Sequence, residues 1–132
     1  MSRLSLDKSI HIYGYEFDKH AAHLGALYAT LSKDEIEKAN QYKYEKLRKD
    51  HIISRGLLRT TLADYLNSNP QDIELRYAKH KKPYIKSDSI YFNVSHAANR
   101  MTIAITRLGE IGVDIEQREF SDDLILVAEK FF

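Results

Sequence analysis

Gly112-Val113-Asp114-Ile115-Glu116 is a short apolar run that carries two carboxylates two residues apart. Read as a strand, its period-2 alternation puts Asp114 and Glu116 on one face and turns Val113 and Ile115 toward a core. Two like charges that close repel each other unless a cation lies between them. Oxygen ligands supplied two at a time suit Mg²⁺, which keeps its other positions for water and phosphate. Alone, the same pair also describes an exposed strand end whose acids face solvent, so its neighbours must decide.

Working outward, residues 90–96 and 101–106 alternate as two strands joined around Ala97-Ala98-Asn99-Arg100, a hairpin pattern. A second turn at Leu108-Gly109-Glu110 leads into the acidic strand. Beyond it, Ser121-Asp122-Asp123 has the form of an N-cap with acids in the first turn, which predicts a helix through Leu124, Val127 and Ala128. Before the hairpin, residues 73–77 alternate as a strand that runs into Lys79-His80-Lys81-Lys82-Pro83, a basic stretch whose proline favours a loop or sheet edge.

The longest helical pattern spans residues 45–67, with Leu47, Leu58, Leu62 and Tyr65 on one stripe and Asn67-Ser68-Asn69-Pro70 as its stop. At 3.6 residues per turn Arg48, Arg55 and Arg59 border that stripe, with His51 beside them. Guanidinium groups at such a rim can fork onto phosphate oxygens, or simply snorkel at the helix edge. Ser32-Lys33-Asp34-Glu35 is a capping box that predicts a short helix. Residues 20–31 repeat Leu24, Leu27, Tyr28 and Leu31 at helical spacing. His20 and His23 lie one turn apart there, but no nearby acid or third histidine completes a ligand set, so they read as a solvated helix face. Residues 10–17 alternate as a first strand.

A chain of 132 residues holds one ordinary domain, and 43% hydrophobic with 30% charged residues is the composition of a soluble globular protein. No run reaches bilayer length and the first residues have no secretory apolar region, so a cytoplasmic location and no membrane contact are expected. With no cysteine, disulfides, thiol nucleophiles and Cys-type zinc sites are excluded. The net charge of +1 hides segregation: much of the positive charge falls between residues 43 and 86, and acids gather near 110–123. A nucleic-acid partner is not expected, because basic and aromatic residues are not interleaved into a stacking surface. The order of elements, helices early and strands later, indicates an α+β fold.

Lys82-Pro83, then Phe92-Asn93-Val94-Ser95-His96, then Gly112-Val113-Asp114-Ile115-Glu116 resemble, in order and spacing, the first three signatures of the 4′-phosphopantetheinyl transferases. The larger, surfactin-synthetase-activating type is the nearest match, and the likeness takes in Arg55-Gly56-Leu57-Leu58-Arg59. The resemblance implies an enzyme of the holo-[acyl-carrier-protein] synthase kind, which transfers 4′-phosphopantetheine from coenzyme A to a serine of an apo acyl or peptidyl carrier protein with Mg²⁺ as cofactor. It implies Asp114 and Glu116 as magnesium ligands and His96 as the phosphate-contacting imidazole, these three forming the catalytic set. Ser95 would lie near the nucleotide, Lys82 would contact a coenzyme A phosphate with Pro83 shaping the loop, and Arg48 and Arg55 would reach the 3′-phosphate. Asp50 departs from the pattern, since relatives tend to carry a basic residue near it.

The family's last signature, W-x-x-K-E, brings a third metal carboxylate and a lysine, and this sequence contains no tryptophan. The resemblance therefore implies the first lobe of a pseudo-dimer, an antiparallel sheet packed on a long helix over residues 1–108, with residues 109–132 opening an incomplete second lobe. A lobe alone would be weakly active or inactive and would self-associate through its uncovered face. A non-catalytic module that binds coenzyme A or a nucleotide for regulation uses many of the same residues and remains the alternative.

Overall fold

The computed structural model describes residues 8–78, 82–85, 90–109, 111–117 and 122–128, the last two stretches as backbone only. The chain forms two compact units, one running from Phe17 to Ile73 and one that joins the first strand to the chain from Glu74 onward.

The first unit is helical. Phe17–His23 is a 3₁₀ helix followed by α1 (Leu24–Tyr28), then α2 (Lys33–Asn40) and α3 (Glu45–Leu66). The helix expected over residues 20–31 is thus split and begins earlier, and the Thr30 hydroxyl donates to the Leu27 carbonyl at 2.6 Å where it ends. Ser32 caps α2 as its sequence requires: the Glu35 amide donates to its hydroxyl at 3.3 Å, and its own amide donates to the Glu35 carboxylate at 2.9 Å. Asn67 ends α3 in the left-handed conformation at φ 52°, which asparagine tolerates better than most residues. A 3₁₀ turn, Pro70–Asp72, follows.

The unit's interior is built from α3. Ile52, Leu58 and Leu62 are fully buried, with Tyr65, Leu31 and Phe17 nearly so. Leu47 was expected on the same stripe but is 48% exposed, because residues 45–51 are exposed or half-buried and burial begins at Ile52. Gly56 marks the closest approach of α1 to α3: a β-carbon there would lie 2.6 Å from the Leu27 β-carbon.

The second unit is built on strands. β1 (Ile10–Glu16), β4 (Tyr91–Ala97) and β5 (Arg100–Thr106) make an antiparallel sheet in the order β1-β5-β4, while β2 (Leu75–Tyr77) pairs with β3 (Pro83–Ile85) and β6 (Ile111–Gln117) with β7 (Asp122–Ala128). The hairpin expected around residues 97–100 is present as β4-β5, turning on Ala98 at φ 52°. Every residue of β5 from Met101 to Thr106 is buried, as befits a central strand. The buried Thr106 hydroxyl donates to the Ser9 carbonyl at 2.9 Å and accepts from the Leu108 amide at 3.1 Å. Glu16 and Arg100 face each other in register and pair at 3.2 Å.

β7 corrects the helix expected from residue 121. Leu124-Ile125-Leu126-Val127 is an unbroken apolar run that pairs residue for residue with β6. A local cap signal yields when a neighbouring strand supplies the ladder and the run suits a pleated surface. With helices in one unit and antiparallel sheets in the other, the fold class is α+β, as expected.

Candidate active site

Lys82 and Pro83 lie at the start of β3, Ser95 and His96 near the end of β4, and Asp114 and Glu116 on β6. All belong to the second unit, and within it both β3 and β6 run beside β4. The three motifs that are ten to thirty residues apart in sequence therefore come from neighbouring segments.

Each segment is arranged differently. Lys82 is exposed; its carbonyl accepts from the Ala78 amide at 2.9 Å. Residues 79–81, the rest of the basic run, fall outside the described residues. Pro83 stands opposite Tyr77. His96 is exposed and Ser95 half-buried; as successive strand residues, opposite Met101 and Thr102 respectively, they lie on opposite faces of β4. A phosphate bound on the His96 face would thus meet Ser95 through its backbone rather than its hydroxyl.

Positions 114 and 116 share a face of β6, as the alternation requires. Their side chains lie outside the described residues. In the ladder Asp114 stands opposite Ile125 and Glu116 opposite Asp123. Among the described residues no group of three or more acids and histidines is placed to hold a metal.

The arginines belong to the helical unit. Arg48 is half-buried; its Nε donates to the Asn40 side-chain oxygen and its Nη1 to the Glu45 carboxylate, both at 3.3 Å. Nothing in the sequence pattern singled out Asn40 or Glu45, although Glu45 stands three residues from Arg48 on the same helix face. Arg55 is half-buried. The acid at position 50 is tied to Lys46 at 2.8 Å, so its charge is matched locally. Asp50 and the nearby Asp18 in turn hold the Lys46 ammonium above the ordinary lysine range.

Arg59 requires a correction. It is 2% exposed and therefore not at the rim. Its Nε donates to Glu35 at 2.7 Å and its Nη1 to the carbonyls of Pro70 at 2.9 Å and Ile73 at 2.8 Å. These partners use its fork for structure, joining α2, α3 and the turn after α3.

A family model described as the N-terminal part of 4′-phosphopantetheinyl transferase matches residues 16–107, which is most of the chain. The chain belongs to the 4′-phosphopantetheinyl transferase family. Among curated members it is 30% identical over 131 residues to 4′-phosphopantetheinyl transferase HetI of Nostoc sp., covering 96% of this chain and 55% of that protein. It is also 30% identical over 117 residues to 4′-phosphopantetheinyl transferase gsp of Aneurinibacillus migulanus, covering 89% and 47%. A phosphopantetheinyl transferase of Thraustochytrium sp. is 29% identical over 103 residues, covering 76% and 36%. The chain spans about half the length of the first of these transferases and less of the others. Among the described residues no helix is long and apolar enough to cross a membrane.

Proposed function

We propose that the protein takes part in transfer of 4′-phosphopantetheine from coenzyme A to a serine hydroxyl of an apo carrier protein. The observation that supports this most is the neighbourhood of β4: the segments bearing Lys82, His96 and the Asp114/Glu116 pair flank one another in one compact unit. Family membership over residues 16–107 adds to it.

In the reaction the serine oxygen forms a bond to the β-phosphorus of coenzyme A. The bond to the bridging diphosphate oxygen breaks, and the serine proton passes to a base. Adenosine 3′,5′-bisphosphate leaves carrying the electron pair of the broken bond. Charge builds on that leaving phosphate, so the site needs fixed cations and positioning more than a covalent nucleophile. Asp114 and Glu116 are the residues to hold Mg²⁺, which when bound neutralises diphosphate charge. The His96 imidazole and the Lys82 ammonium would donate hydrogen bonds to phosphate oxygens, and Ser95 would contribute a backbone contact. Arg48, held by Asn40 and Glu45, and Arg55 would offer guanidinium groups to the 3′-phosphate.

Calorimetry with coenzyme A, with and without Mg²⁺, tests this. Binding that strengthens at least about tenfold with Mg²⁺, and loses that gain in D114N and E116Q, is expected. Binding of equal strength with and without the ion would overturn the transfer reading in favour of a non-catalytic coenzyme-binding module.

A further inference from the structure

Between the 3₁₀ helix with the start of α1 on one side and the first turns of α3 on the other lies a cavity of about 430 Å³. That is within the roughly 300–1,000 Å³ of small-molecule sites. Every lining residue belongs to the helical unit, and none is a residue assigned above to coenzyme A or magnesium. Its apolar lining is Phe17 and Ile53, both buried, with Leu24 half-buried and Ala21 exposed, and its other lining residues are charged.

The charges on the rim are not equally engaged. Asp50 pairs with Lys46 at 2.8 Å and Glu45 with Arg48 at 3.3 Å. Asp18, on the 3₁₀ wall, and Lys49, on the α3 wall, also line the cavity, and neither makes an ion pair or hydrogen bond among the described residues. Asp18 lies within electrostatic reach of Lys46, whose direct partner is Asp50, so Asp18 and Lys49 are the carboxylate and the ammonium of the lining that have no direct partner among the described residues. A ligand that is only cationic or only anionic leaves one of them unanswered. A zwitterion answers both.

We propose that this cavity binds a free α-amino acid with a large apolar side chain. Its ammonium pairs with Asp18, its carboxylate with Lys49, and its side chain lies on Phe17, Leu24 and Ile53. Removal of such a side chain from water supplies the non-directional part of the affinity, and the two charged contacts select an unblocked amino acid over a hydrocarbon of the same shape. The proposal needs neither coenzyme A nor magnesium, so it stands or falls apart from the transfer reading.

The test is titration of the full chain with L-phenylalanine and L-leucine, followed by amide chemical shifts in two-dimensional NMR and by calorimetry. Saturable shifts at residues 17–24 and 45–53 are expected. N-acetyl-L-phenylalanine and phenethylamine should each bind about tenfold more weakly than L-phenylalanine, and D18N and K49M should each weaken L-phenylalanine by about tenfold. Both substituted side chains are exposed, and unchanged far-ultraviolet circular dichroism would show that the variants fold. Absence of saturable shifts, equal affinity for either blocked analogue, or unchanged affinity in both variants would overturn the proposal.

Discussion

Arg59 shows how far a single position can depart from the pattern around it. Helical spacing puts it in line with Arg48 and Arg55, but spacing gives direction along a helix and not depth. What determines its role is Glu35, distant in sequence, together with two carbonyls past the end of α3. Removing one partner of a buried pair leaves the other charged and without water. R59A and E35A should therefore each lose about 3–5 kcal/mol of stability in urea unfolding, and the double variant should lose less than the sum, since the pair is one interaction. Additive losses would show that the two act separately. By contrast the Ser32 capping box was legible, because donor and acceptor are only three residues apart and the motif carries its own geometry.

At the scale of elements, long periodic segments were readable and their ends were signalled by chemistry: α3 stops at Asn67, which adopts the left-handed turn that few other residues accept. The crossing of α1 over α3 was not readable, because it depends on the contact of Gly56 with Leu27. An alanine methyl there has no room against the Leu27 backbone and side chain, so G56A should cost about 1–3 kcal/mol despite alanine's better helix propensity. A thermal midpoint equal to or above that of the parent would mean that the helices separate at no cost. β7 departs from its local sequence signal for the opposite reason. Ser121-Asp122-Asp123 is a sound local start signal, but pairing of Leu124-Ile125-Leu126-Val127 with β6 supplies partners that no local window contains. The Ser95-His96 pair was legible as a motif; that its members face opposite ways follows only once β4 is known to be a regular strand.

For the whole molecule, the class could be read from the order of elements, since helices and hairpins each leave a local periodicity. The division into units could not. β1 joins the strand unit by pairing with β5, some ninety residues later, and nothing in residues 10–16 announces that partner. The candidate site lies between these limits. Its motifs were legible one at a time, and their convergence on β4 depends on long-range packing that places β3 and β6 on its flanks. The chain spans about half of HetI's length, so the transferase activity argued above draws on family membership as well as on this site.

Under the proposed function, Asp114 and Glu116 hold a divalent ion beside the phosphates that His96 receives. Mn²⁺ in place of Mg²⁺ tests it directly, because the paramagnetic ion broadens NMR resonances within a limited radius. With coenzyme A present, the amides of residues 113–117 and the His96 ring signals should broaden selectively at substoichiometric Mn²⁺, and D114N should abolish the effect. Broadening that spares these signals, or that centres on another part of the chain, would contradict the account.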